Sequence, residues 1–443
     1  MGKIRLPALG LLGLLLTGVN ASGYAQMVFG SLTDIWQYAD KNNHVVQTAV
    51  HVRRLAEKTA KQAYSGLWPT LTANGSFTDN IRIQPTLIPA NLLNASAPEG
   101  TFVESTFGRR YIYTASLVAQ LNLVNSDDWF SVASARYNSD IARLSEQQTR
   151  RQVYEQTAQA YYSYLLLREV VRLSEQTTRI SDQMLTLARQ RLAEGQVGEP
   201  SVNAAQITRL KAEQTGQVAS QNSLQALYTL KSLLGLSVQD SIRLPETLSD
   251  SLASSVVGSA MTHPEVQLAY TQSLLAERTF RAARASYLPR LSLVYQWNHQ
   301  ISGDRFWQFS NTNTLPQEYW GLRLSIPILS GGSRLYQVQK SQMDWQYQQR
   351  QYDHVLKQAD IQDASLLLSY ATARETLLKS RTVMYLYKQN DAHADRQFAE
   401  EQMSLDERLR FLNEYISAQN EYLTHLSDYL IYHYRLQLST KSF

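Results

Sequence analysis

The sequence predicts a mainly helical chain with a membrane β-barrel part, built as two copies of one helix–strand–strand–helix–helix unit. Three observations carry this: an internal duplication, four segments of two-residue alternation, and helical stretches too long for a compact domain. A shift of 220 residues lays Val46-Gln47 on Val266-Gln267, Ala56-Glu57-Lys58 on Ala276-Glu277-Arg278, and Trp68-Pro69 with Leu71 on Leu288-Pro289 with Leu291. Beyond a loop that is longer in the first half, a shift of 205 sets Leu117, Leu121 and Leu123 on Leu322, Ile326 and Ile328. A shift of 206 then sets Ala193-Glu194 on Ala399-Glu400. A repeat of this length is one architecture built twice, not a stack of short units.

In chain order, Lys3 and Arg5 precede the apolar run 6–19, and Gly23-Tyr24-Ala25 offers small residues at −3 and −1 for cleavage before Gln26. Residues 1–25 therefore read as a secretory signal. The apolar run falls short of the ~20 residues a spanning helix needs, and no later segment holds 18 consecutive apolar residues. The mature chain leaves the cytoplasm. Its 42 Lys and Arg against 38 Asp and Glu fall to +2 once Lys3 and Arg5 are lost, too near neutral to recruit nucleic acid. The absence of cysteine excludes thiol catalysis, thiolate metal sites, disulfides and a lipid-modified N-terminal cysteine.

Strands are expected at about 70–84, 110–124, 290–302 and 318–329. In each, apolar residues alternate with polar ones: Tyr111, Tyr113, Leu117 and Leu121 in the second, Leu291, Leu293, Tyr295 and Trp297 in the third, Trp320, Leu322 and Leu324 in the fourth. The first carries Gly75 and Asp79 among its apolar positions, opposite Thr72, Asn74, Ser76 and Thr78. Each is long enough to cross a membrane as a strand, which takes ~9–11 residues. Trp68, Trp297, Trp307, Trp320, Tyr111, Tyr113 and Tyr319 lie in or beside them, as interfacial aromatic girdles would. Four strands cannot close a barrel, whose smallest form has ~8, so membrane strands here demand an oligomer.

Between the strand pairs, 129–194 holds neither proline nor glycine and would span on the order of 100 Å as a helix. Leu166, Val170, Leu173, Thr177, Ile180, Met184 and Leu187 mark a coiled-coil seam in it, and Leu409, Leu412, Ile416, Gln419, Leu423, Leu426 and Leu430 mark another in the last segment. The first helix pair turns at about 195–201, where Gly195, Gly198 and Pro200 stop one helix and start the next. The repeat places the second turn at about 401–407. Pro69 and Pro289 end helices before strands, having no backbone donor, and Gly331-Gly332 after Pro327 permits the left-handed backbone of a strand-to-helix turn.

Four short motifs carry a resemblance: Leu67-Trp68-Pro69 with Leu71, Tyr287-Leu288-Pro289 with Leu291, Pro327-Ile328-Leu329-Ser330-Gly331-Gly332, and Arg191-Leu192-Ala193-Glu194-Gly195. In this order, over essentially the whole mature chain, they resemble the TolC family of outer-membrane efflux proteins. The resemblance implies a homotrimer whose twelve strands form one barrel in outer-membrane lipid, continued by a long α-helical barrel in the periplasm. It implies docking to a periplasmic adaptor and an inner-membrane pump that exports drugs or other toxic compounds. It divides the chain into a first repeat at 26–235, an equatorial linker at 236–258 and a second repeat at 259–443.

The resemblance also assigns residues. The family's tip glycine falls on Glu401, its first constricting aspartate on Glu407 and its second on Arg410, so Glu407 and Arg410 are the expected periplasmic gate. The family's tip tyrosine and arginine fall on Phe398 and Met403, which cannot form the same hydrogen-bonded latch. Adaptor contact is expected from Gly195, Gln196, Val197, Gly198 and Glu199 on one tip and from Gln402, Met403 and Ser404 on the other. Pro69, Pro289, Pro327, Gly331 and Gly332 are the strand–helix crossings.

An enzyme is the rival class. The eight histidines are scattered without H-E-x-x-H spacing, and no Walker loop or G-x-G-x-x-G occurs, so no catalytic group, metal or cofactor is expected. A channel for type I protein secretion is a rival within the channel class, and an exported coiled-coil scaffold is a rival outside it. The scaffold leaves four symmetric alternating segments unexplained.

Overall fold

A computed structural model describes residues 27–440 other than 94, 97, 246, 247, 249–262, 308 and 311. The leader at 1–25 and much of the linker at 236–258 lie outside the described residues. The elements are β1 (Met27–Val28), α1 (Leu32–Asn42), α2 (His44–Ala63), β2 (Thr70–Asp79), β3 (Pro85–Pro89), β4 (Phe102–Thr106), β5 (Tyr111–Val124), α3 (Ser126–Ala193) and α4 (Glu199–Leu233). There follow β6 (Ile242–Arg243), α5 (Pro264–Ala285), β7 (Arg290–Gly303), β8 (Asn313–Ser325), α6 (Ser333–Ala399) and α7 (Leu405–Thr440). Helix, two strands and two helices thus occur in turn as α2-β2-β5-α3-α4 and as α5-β7-β8-α6-α7. The chain packs as two compact units, the described parts of 1–43, 156–251 and 380–427, and those of 44–155, 252–379 and 428–443. Each unit takes segments from both repeats.

The second unit contains an antiparallel sheet in the order β2-β5-β7-β8. Its register puts Leu71, Ala119, Tyr295 and Trp320 in one row, and Thr72, Val118, Gln296 and Tyr319 in the next. Residues in a row share a face and successive rows alternate, so the four apolar patterns meet on one side and Thr72, Asn74, Ser116, Gln296 and Asn298 meet on the other. On the apolar side Leu71, Trp320, Leu322 and Leu324 are 72%, 73%, 61% and 60% exposed, which excludes a sheet whose apolar face is packed on a core of this chain. The outer edges of β2 and β8 have no partner strand among the described residues.

Two strand boundaries differ from expectation. β2 stops at Asp79 rather than near 84, because Asp79 takes the Arg110 side chain at 2.9 Å and the chain then turns. β8 occupies Asn313–Ser325 rather than 318–329: it pairs with the whole of β7 from Ser302↔Asn313 onward and stops before Pro327, which has no N–H for the ladder. The long loop of the first repeat contains a hairpin, β3 paired with β4, which Pro85 and Pro89 disguise in the sequence. The crossings fall between helix and strand, with Pro69 just before β2, Pro289 just before β7, and Gly331 (φ +57°) and Gly332 (φ +81°) just before α6.

In the same unit, α3, α5 and α6 enclose a charged cluster. His263 caps α5 and is 3% exposed, with Nδ1 3.4 Å from Glu265 and Nε2 3.3 Å from Asp363; Arg151 lies 3.8 Å from Glu265. The His263 contact, reinforced by Arg151, holds the Glu265 carboxyl below its ordinary value, whereas burial pushes that of Asp363 up.

The first unit is built on helix packing. α1 starts with a capping box between Ser31 and Asp34, and Asn43 at its end donates Nδ2 to the Leu233 carbonyl at 2.7 Å. β1 pairs in parallel with β6. The seam of α7 follows the expected positions, with Leu409, Leu412, Leu423 and Leu426 buried. That of α3 does so only at Thr177: from 174 to 188 the other buried residues are Ser174, Ser181, Leu185 and Ala188, each one residue beyond an expected position. Small side chains permit close helix approach, which a search for large apolar residues overlooks.

Candidate functional site

The tips of the two helix pairs lie together in the first unit. α3 ends in a reverse turn in which the Gln196 N–H donates to the Arg191 carbonyl at 2.8 Å and Gly195 has φ +73°. α6 ends identically: the Gln402 N–H donates to the Gln397 carbonyl at 2.8 Å and Glu401 has φ +56°. The next helices start in different ways. Gly198 precedes α4 without a side-chain cap, with Pro200 in the first turn. Ser404 precedes α7, accepting from the Glu407 N–H at 3.2 Å while its own N–H donates to the Glu407 carboxylate at 3.3 Å.

Of the expected adaptor-contacting residues, Gly195, Gln196, Gly198, Glu199, Gln402 and Ser404 are exposed, while Val197 and Met403 are half-buried. Met403 and Val202 pack on an apolar cluster of Leu185, Ala188, Ala205, Phe398, Leu405 and Leu409 that joins both tips. The Arg191 guanidinium stands 4.7 Å from the Phe398 ring centre, and Ser201 Oγ donates to Asp406 at 3.1 Å. These contacts join the two tips within one chain.

The expected gate residues stand apart in one chain. Glu407 is exposed and engaged with Ser404 Oγ at 3.0 Å, whereas Arg410 faces Glu414 at 3.9 Å beside an open groove of ≈ 690 Å³ between α4 and α7. No ion pair joins them among the described residues. Sequence reasoning missed Arg408. Its side chain is 4% exposed, and Nη1 and Nη2 reach Asp391 at 2.6 Å and Asp395 at 3.1 Å, binding α7 to α6. The signal available was two aspartates one turn apart on α6, followed across the turn by an arginine at an apolar position. Nearby, burial and then the Asp391 charge push the Tyr415 hydroxyl up, and Asp182 holds Arg209 more firmly protonated. Among the described residues no group of three or more His, Asp or Glu is arranged to hold a metal ion, and no helix is long and apolar enough to cross a membrane.

The sequence model described as "Outer membrane efflux protein" matches residues 35–236. The Proteases secretion protein PrtF of Dickeya chrysanthemi is 22% identical over 367 residues, 78% of this chain and 73% of PrtF. Two solved structures are similar throughout. The outer membrane protein VceC of Vibrio cholerae has a TM-score of 0.76 at 18% identity, covering 93% of this chain and 96% of VceC. The open state of the Neisseria gonorrhoeae MtrE outer membrane channel has a TM-score of 0.75 at 15% identity, covering 99% and 97%. The family's model thus matches the first repeat, and the fold of these outer membrane channels runs along the whole length of the chain.

Proposed function

We propose that this chain is the outer-membrane exit duct of a tripartite efflux system, a passive homotrimeric channel through which a pump elsewhere expels drugs or other toxic compounds. The observation that carries this is the four-stranded sheet whose two outer edges have no partner among the described residues and whose apolar face is exposed. Lipid tolerates no open edge, so copies must join edge to edge until the sheet closes. Three copies supply twelve strands. The uncharged Ser, Thr, Asn and Gln of the other face then line a wet lumen. Family and fold are those of channel proteins, and the energy for export comes from the partner.

The exposed tips, Gly195–Glu199 and Gln402–Ser404, meet a periplasmic adaptor in this reading, and Glu407 and Arg410 from neighbouring copies line the entrance. In-cell photo-crosslinking from Gln196 and separately from Gln402, followed by mass spectrometry, tests it. Recovery of a periplasmic adaptor is expected. Capture of nothing by a properly inserted oligomer would sink the tripartite assignment. The likeness to a protease secretion protein favours a second cargo class, protein, and the pump that accompanies the captured adaptor decides between them.

A further inference from the structure

The row of Asp79, Tyr111 and Gly303 ends the sheet on the side away from the strand–helix crossings. The connection from β7 to β8 begins there, and its aromatic residues turn back onto the apolar face instead of extending into water. The Phe306 ring centre lies 5.7 Å from that of Phe77 and 5.9 Å from that of Tyr111; Phe309 lies 5.3 Å from Tyr113, and Trp307 stands edge-on to Tyr113 at 6.1 Å. Phe77 and Tyr113 are register partners in a row of the apolar face. The six rings therefore prolong that face past the last strand row.

This cluster does not bury itself. Trp307 has φ +58°, a left-handed backbone that costs energy in any residue but glycine, and its N–H is held by the Tyr113 hydroxyl at 2.9 Å. Yet Trp307 is 68% exposed, and Phe306 and Phe309 are 62% and 50% exposed. A strained turn that presents aromatic surface calls for something to cover it. The same end of the sheet carries four arginines. Arg109 pairs with Asp304 and Arg110 with Asp79. Arg305 adjoins that Asp304, and Arg82 lies two residues from Asn80, whose Nδ2 donates to the Arg109 carbonyl at 3.1 Å. Both Arg82 and Arg305 are exposed and make no ion pair among the described residues. Amphipathic rings at the same sheet end as guanidinium groups that make no ion pair among the described residues match a membrane interface, with acyl chains at the rings and phosphates at the cations.

We propose that Phe306, Trp307 and Phe309, seated on Phe77, Tyr111 and Tyr113, form an outer-leaflet site for an anionic lipid headgroup, whose phosphate engages Arg82 and Arg305. The proposal rests on the outer-membrane reading of the sheet, and the test separates the two. Because the chain has no cysteine, F309C and L322C each create a single labelling position, one in the cluster and one in the middle of the apolar face. Each is labelled with an environment-sensitive fluorophore in the assembled protein and reconstituted into phosphatidylcholine vesicles with increasing phosphatidylglycerol. T312C, which keeps every ring, repeats the reading if F309C does not assemble.

The label at the cluster is expected to be quenched by spin-labelled lipid and shielded from iodide. Phosphatidylglycerol should deepen the effect, with a half-maximal fraction roughly fivefold higher for each of R82Q and R305Q. Inorganic phosphate should leave the signal unchanged. Iodide quenching at the cluster with lipid quenching at 322 overturns the proposal and leaves the barrel standing. Iodide quenching at both positions overturns the barrel reading and the site with it. Indifference to phosphatidylglycerol, or mimicry by free phosphate, overturns the headgroup assignment.

Discussion

At the first tip Leu185 of α3 is buried and Val202 of α4 packs on the same apolar cluster; 206 residues further on, the corresponding residues are Asp391 of α6 and Arg408 of α7, joined at 2.6 Å. Gly195 takes the left-handed position of the first turn and Glu401 that of the second. Gly198 precedes one helix without a cap and Ser404 caps the other. The same backbone is thus closed once by apolar contact and glycine, and once by an ion pair, a strained residue and a capping box. The apolar version tolerates small shifts of one helix on the other. The ionic version holds only at one geometry, so duplication has left one tip plastic and the other specified.

The largest effect should come from breaking the ion pair alone. In R408M, Asp391 keeps a mostly buried charge without its partner, at a cost of about 3 kcal/mol. Hydrogen exchange at 405–412 should lose about two decades of protection in that variant, with 185–202 little changed. Installing the first tip's chemistry, D391L with R408V, should return exchange to within about 1 kcal/mol of the parent, since a buried ion pair replaced by matched apolar groups is often neutral. A double variant as labile as R408M would mean that the two tips are not interchangeable in packing, and the comparison would break.

The left-handed residues give the next effect. The space around Gly195 is open, so G195A tests backbone strain without a clash and should cost about 1 kcal/mol. E401G should gain about as much. Opposite shifts in local exchange at the two turns sharpen the equivalence; no gain in E401G would mean that the Glu401 side chain makes a stabilising contact outside a single chain. Caps rank below these. S404A should cost about 1 kcal/mol, while G198S should gain only a few tenths, because glycine is itself a tolerable N-cap.

How far the sequence reveals these sites follows from the physics at each position. Gly195 and Pro69 are legible because their backbone needs are local. The duplication finds the second turn although Glu401 replaces glycine, since spacing survives where residue type does not. Arg408 is hidden because the seam pattern expects apolar residues at the helix contact and a buried arginine depends on partners 13 and 17 residues away. The rest of the α3 stripe is missed for a related reason: serine and alanine signal close packing only when the neighbouring helix is known. The turn-back of Phe306, Trp307 and Phe309 depends on Tyr113, almost two hundred residues earlier.

The smallest expected change in stability accompanies a functional one. Glu407 combines two roles in this reading, the helix cap it makes with Ser404 and negative charge at the channel entrance. E407A removes both, whereas E407Q keeps an acceptor for Ser404 and removes only the charge, so its stability should fall by no more than about 0.5 kcal/mol. In planar-bilayer recordings E407Q should nevertheless lower cation over anion selectivity as E407A does, and R410Q should shift it the other way. The counterpart of Glu407 at the first tip is Ser201, whose hydroxyl donates to Asp406. If only the second tip lines the constriction, S201E leaves selectivity unchanged although it adds the same charge to the same backbone position. Equal responses from S201E and E407Q, in opposite directions, would place both tips at the entrance and leave the ionic lock of Arg408 as what distinguishes them.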